Sequence, residues 1–281
     1  MKFIKAFTSG ALRALHSVKA LLIIWLLTFT LLAVFTYPLR SFTLSALGNT
    51  TATGLLNDGF NISFFADLGS ALRPMLSGIT AGIMIVMLIF FFLYVFMNGG
   101  LFDSLYSNKF SYKASSFFRS SAKYFLSFLV VKLLVLLMIL VVMFIVLGLP
   151  HILFGTGSEE TTWKIFSITR IVAVIILPLF LLVADYSRVW LVANGQRKVF
   201  RALAYGFKAT FKSFLSSYFF MLIMVLVQGG FALMVAGLLS AYVPVTGGGL
   251  FLLFLLSQVL FIIKLYLRAV RYGGVSELYQ L

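Results

Sequence analysis

Cysteine is absent, and with it disulfides, thiolate metal sites and cysteine nucleophiles. Histidine is nearly so, with His16 and His151 the only two in 281 residues. Charge is scarce: 10% of the chain is Asp, Glu, Lys or Arg, against roughly 25% in a soluble domain. Acid is scarcer still, 7 carboxylate side chains facing 22 basic ones. No HExxH, GxSxG or P-loop pattern occurs, so the common hydrolase and nucleotide-binding chemistries lack their residues. These shortages argue against a soluble fold and against an enzyme, and they call for no metal and no cofactor.

What the chain has is apolar surface. Hydrophobic residues make up 62% of it, and the mean hydropathy is +1.10. A helix needs about 20 mostly apolar residues to cross a hydrocarbon core of roughly 30 Å. Six stretches meet or approach that length: 20–37, 75–97, 133–149, 171–184, 214–241 and 249–267. The fourth has an uncharged run of 14 residues, and spans by starting nearer Lys164, with Arg170 reaching outward and Pro178 predicting a kink. The basic start at 1–19 runs into an apolar segment with no clear cleavage site, and reads as an uncleaved first span. A small, partly helical cap is expected over 38–74.

Basic residues set the orientation. With the N-terminus inside, Arg40, Arg73, Lys164 and Arg170 are the only basic residues left outside, balanced there by Asp58, Asp67, Glu159 and Glu160. The inner side then carries the entire net charge of +15, as the positive-inside rule requires. The expectation is a multi-pass protein of the bacterial cytoplasmic (inner) membrane with both termini in the cytoplasm. Its partners on that side are anionic lipid headgroups rather than nucleic acid, with other membrane subunits as further candidates.

Two segments repeat. Residues 118–127 read FRSSAKYFLS and residues 207–216 read FKATFKSFLS, an offset of 89 residues. In each, two basic residues four apart share a helical face: Arg119 with Lys123, and Lys208 with Lys212. A looser version precedes the first span. These are basic amphipathic elbows suited to the headgroup layer, and Arg119, Lys123, Arg201, Lys208 and Lys212 are candidate anionic-lipid contacts. The fold expected is an all-α membrane domain of six transmembrane helices in three elbow-plus-hairpin repeats: 1–97 (with the outer loop 38–74), 98–193 and 194–281.

Few polar residues enter the spans, and those that do are costly there and point to pairing or a pathway. Lys132, Asp185, Arg188, Gln228 and Gln258 form a candidate intramembrane network. Asp185 and Arg188, three apart, can pair on one face, with Lys132 within reach. Gln228 and Gln258 are placed to hydrogen-bond between the last two helices. His16 and His151 fall on opposite sides, which excludes a shared metal. His151 with Glu159 and Glu160 reads as a solvated loop.

The step Ala184-Asp185-Tyr186-Ser187-Arg188, followed by 199–216 (VFRALAYGFKATFKSFLS) and a long apolar span, resembles poorly characterised bacterial six-span membrane proteins. It is similar to the membrane domain attached to some glycerophosphodiester phosphodiesterases. The resemblance covers mainly 165–270 and implies a bacterial cytoplasmic-membrane protein. It implies no catalytic activity, because the phosphodiesterase chemistry of those relatives belongs to a separate soluble domain. The function expected is a non-catalytic scaffold or accessory subunit of an envelope assembly. The alternative is a permease or flippase-like carrier for a small or amphipathic anion.

Overall fold

In lipid each backbone polar group must be satisfied within its own segment, so long apolar runs are committed to helix. The computed structural model describes residues 2–47, 72–108, 112–154, 159–242 and 246–281, with no strand among them. In chain order the helices are α1 (Lys2–His16), α2 (Val18–Leu47), α3 (Leu72–Ser107), α4 (Ala114–Met143), α5 (Leu149–Phe154), α6 (Glu159–Ala193), α7 (Val199–Lys212), α8 (Phe214–Ala241) and α9 (Gly247–Gln280). Six of these, α2, α3, α4 with its extension, α6, α8 and α9, are long and apolar enough to cross a membrane. The chain is therefore an all-α protein with six candidate spans. The expected cap over 38–74 falls largely outside the described residues, although α2 continues to Leu47.

Short breaks separate the amphipathic helices from the spans that follow. Ser17 interrupts α1 and α2, its backbone N–H donating to both Arg13 O (3.0 Å) and Ala14 O (3.2 Å). Ser213 interrupts α7 and α8 with φ −118° and ψ 39°. Its hydroxyl lies 2.9 Å from that of Ser217, which in turn meets the Tyr186 hydroxyl at 2.6 Å. The segment 118–127 differs: it lies inside the single helix α4, with no break before its span. At the far end of α4 a π-helical turn, Phe144–Gly148, leads into α5. Pro150 just beyond it lacks an N–H, and a locally widened turn accommodates such a gap. The fourth span runs from Thr162 to Ala193 straight through Pro178, longer than its uncharged run suggests.

Burial is uneven along the bundle. Buried side chains concentrate at 95–105 of α3, 117–135 of α4, 182–192 of α6, 217–224 of α8 and 265–276 of α9. Phe102 stacks there on Tyr272 (ring centroids 4.4 Å apart) and meets Phe128 edge-on at 5.6 Å. Helix α1 lies against α9 at this end, and glycine permits it: a Cβ on Gly10 would sit 2.6 Å from Val270 O and 2.8 Å from Gly274 N. In the other half the apolar faces are uncovered. Met84 and Met87 of α3, Leu137 and Leu140 of α4, Leu233 of α8 and Phe251 of α9 are all exposed. The molecule thus has a packed end, which carries α1, α7 and the end of α9, and an open end.

Candidate functional site

Four helices bring ionisable groups together just inside the packed end. Asp185 lies on the last turns of α6, and Arg188 one turn on points the same way, its Nη1 donating to Asp185 Oδ1 at 2.8 Å. From α9, Arg271 brings Nε to 3.1 Å from Asp185 Oδ2, at ion-pair distance yet out of line for a hydrogen bond. The Asp185 side chain is 1% exposed, those of Arg188 and Arg271 9% and 11%. One carboxylate therefore serves two buried guanidinium groups. Arg188 Nε, Arg271 Nε and Asp185 Oδ2 remain without a hydrogen bond among the described residues.

Aromatic faces hold the remaining cations. Lys132 of α4 places Nζ 3.9 Å from the Phe91 ring centroid and 4.6 Å from that of Tyr94, both on α3. The Arg268 guanidinium of α9 lies 4.6 Å from the Tyr94 centroid, and that of Arg271 4.7 Å from Tyr272. The two phenols meet, hydroxyl to hydroxyl, at 2.8 Å. Neither Lys132 nor Arg268 has a carboxylate partner among the described residues. A cation over an aromatic face gains about 0.5–2 kcal/mol. Lys132 and Arg268 are half-buried, and a ring face returns less than the several kcal/mol that full burial of an ion costs. The aromatic rings orient these cations and do not neutralise them, so four cations share one acid.

The location follows from the sequence. Lys132 immediately precedes the uncharged run 133–149, Asp185 immediately follows 171–184, and α9 acquires Lys264, Arg268 and Arg271 as its run from 249 ends. The cluster sits where three apolar spans meet their polar ends.

The expected network is divided. Asp185 and Arg188 are together, with Lys132 on the aromatic side of the same cluster rather than on the carboxylate. Gln228 of α8 reaches the cluster's edge: it donates to Leu267 O at 3.3 Å and accepts from Arg271 Nη1 at 3.5 Å. Gln258 lies elsewhere, accepting from Trp25 Nε1 of α2 at 3.0 Å. The two glutamines thus have separate partners. Tyr94, Arg268, Arg271 and Tyr272 join the cluster without a signal in the apolar runs. Arg268 and Arg271 do share the i, i+3 spacing of Asp185 and Arg188, but in sequence two like charges at a helix end bear only on orientation.

A second ionic station joins the two ends of the chain. Arg13 of α1 is 6% exposed. It donates to Leu105 O at 3.1 Å, and through Nη2 to Glu277 Oε2 and Gln280 Oε1, both at 2.6 Å. Nearby, the hydroxyls of Tyr112, in the link between α3 and α4, and of Ser120 on α4 donate to Asp103 Oδ2 of α3 at 2.6 and 2.9 Å. Burial, then the bond to Asp103, push the Tyr112 phenol above its ordinary pKa.

The candidate lipid-contact cations Arg119, Lys123, Arg201, Lys208 and Lys212 are all exposed. His16 meets Asn108 at 3.0 Å at the packed end, whereas the His151 ring packs on Phe166 at the other. No group of three His, Asp or Glu able to hold a metal occurs among the described residues. No family model, no curated protein and no solved structure matches the chain.

Proposed function

We propose that the chain is a non-catalytic integral protein of a bacterial cytoplasmic membrane, acting as a scaffold or accessory subunit of a larger assembly. One observation carries this reading: six apolar helices pack tightly at one end and leave their apolar faces uncovered at the other. In a bilayer, lipid or the helices of a partner cover those faces. The sequence resemblance to six-span membrane proteins without a catalytic part is in keeping with it.

The orientation follows the charge, with the packed, basic end and both termini in the cytoplasm. Helices α1 and α7 act there as surface elbows. Each turns small residues to the bundle, Ala6, Gly10 and Ala14 in one and Ala202, Gly206 and Thr210 in the other. Each also exposes large apolar groups beside its cations, Phe7 and Leu12 near Lys5, and Phe211 near Lys208 and Lys212. That pairing suits a headgroup layer, where a cation near an anionic surface gains about 1 kcal/mol. A cleft of about 520 Å³ lined by Val130, Arg197, Lys198, Phe200 and Arg201 extends the same surface. The second repeat, at 118–127, would meet the lipid as the first turns of α4 rather than as a separate helix.

The second reading, a carrier for an anionic amphiphile, is favoured by one observation, the uncompensated cations Lys132 and Arg268 within the spans. Purification of the native protein in mild detergent tests the first. A stoichiometric membrane-protein companion is the expected result. A monomer without one, which moves an anionic amphiphile across vesicles, would replace it by the second.

A further inference from the structure

We infer that the cluster around Tyr94 and Asp185 is a binding site for a phosphate-class oxyanion, presented on an amphiphile. This goes beyond the scaffold reading and stands whether or not a partner protein exists.

The first argument is charge. Lys132, Arg188, Arg268 and Arg271 meet in one cluster with a single carboxylate, Arg188 and Arg271 on Asp185 and the other two over Tyr94, and ring faces do not balance the surplus. Mutual repulsion of these cations is relieved by an anion from outside the chain. A phosphodiester brings a full negative charge and two non-bridging acceptor oxygens to that surplus.

The second argument is donors. Guanidinium groups pair with phosphate through two parallel N–H bonds, and Arg188 Nε is buried without a hydrogen bond among the described residues, while Arg271 Nε faces Asp185. The paired hydroxyls of Tyr94 and Tyr272 add a further donor in the same cluster.

The third argument is position, which distinguishes a lipid from a free ion. The cations lie where the uncharged runs end, so a headgroup reaches them without crossing hydrocarbon. A groove of about 250 Å³ between α8 and α9 is lined by Phe231, Val235, Leu239, Leu260, Phe261 and, toward the packed end, Lys264. Lys264 precedes Arg268 by four residues, one turn along the same face. An acyl chain in that groove brings its headgroup to Lys264, one turn from Arg268, whereas free phosphate would leave the groove unused.

Native mass spectrometry of the detergent-purified protein tests this, with phosphatidylglycerol and phosphatidylcholine added in turn. The variant is K132Q/R268Q, because neither residue is in an ion pair among the described residues, and its fold is checked by circular dichroism. The wild type is expected to retain one phosphatidylglycerol that phosphatidylcholine does not replace. K132Q/R268Q should hold it at least ~tenfold more weakly, as loss of charge-assisted contacts implies. K164Q, at the open end where Lys164 pairs with Glu160, should hold it as the wild type does. Inorganic phosphate serves as the second probe. If millimolar phosphate displaces the lipid from wild type, the site stands and takes the soluble anion as well; if it does not, the site is specific to the lipid-borne phosphate. Equal retention by wild type and K132Q/R268Q, or equal retention of the two lipids, would overturn the proposal.

Discussion

Arg13 and the Asp185 cluster are both buried ionic stations at the packed end, and they are built differently. Around Arg13 the charges balance: one guanidinium meets one carboxylate, Glu277, and two neutral acceptors, with Lys5 at 3.9 Å on the outside. Around Asp185 they do not, since four cations share one acid. The first station reads as a latch that fixes α1 against α9. The second has a residual field that its own side chains leave uncompensated, and such a surplus inside a membrane domain marks a site rather than a joint.

Removing the one acid breaks the comparison most severely. Asp185→Asn leaves two buried guanidinium groups unpaired, and breaking a buried pair in this way costs about 3–5 kcal/mol. Thermal unfolding in detergent measures it, and an unchanged midpoint would show that Asp185 is not a clasp. Glu277→Gln should cost less, about 1–3 kcal/mol, because Arg13 keeps Leu105 O and Gln280. Its effect should be local, with faster amide exchange in α1 and little change in α6.

Tyr112→Phe is the mildest case, at about 1 kcal/mol for one hydrogen bond at neutral pH. Its phenol is held protonated in the folded chain, chiefly by burial and then by Asp103. The stability it contributes is therefore complete below the ordinary tyrosine pKa near 10 and is lost as pH climbs past it. An alkaline melting series should show a shallower decline in Y112F than in the wild type.

How much of this was readable beforehand differs between spans and sites. The six spans were legible because hydropathy reports the solvent a helix requires, and 133–149 or 214–241 leave little alternative to lipid. Hydropathy does not report which face or which half of a span packs, since lipid tails are as apolar as a leucine core. The packed end was therefore hidden, and with it the contact of Gly10 with Gly274. Asp185 and Arg188 were legible by their spacing. Arg268 and Arg271 had the same spacing, yet two like charges on a helix end resemble any positive-inside flank. Their meaning depends on Tyr94 and Lys132, more than 130 residues away in sequence, brought near by packing alone. Gln228 and Gln258 show the same limit: both face protein, but their partners are Arg271 and Trp25.

The difference between the two stations is tested most directly by melting the protein in nanodiscs of rising phosphatidylglycerol fraction in phosphatidylcholine. Three chains suffice: wild type, K132Q/R268Q at the surplus station and Q280A at the latch, where the residue lost is a neutral partner of Arg13. Tm should climb with anionic lipid for wild type and Q280A alike, and climb less for K132Q/R268Q. A rise of the same size in K132Q/R268Q would contradict a charge surplus answered by lipid at this cluster.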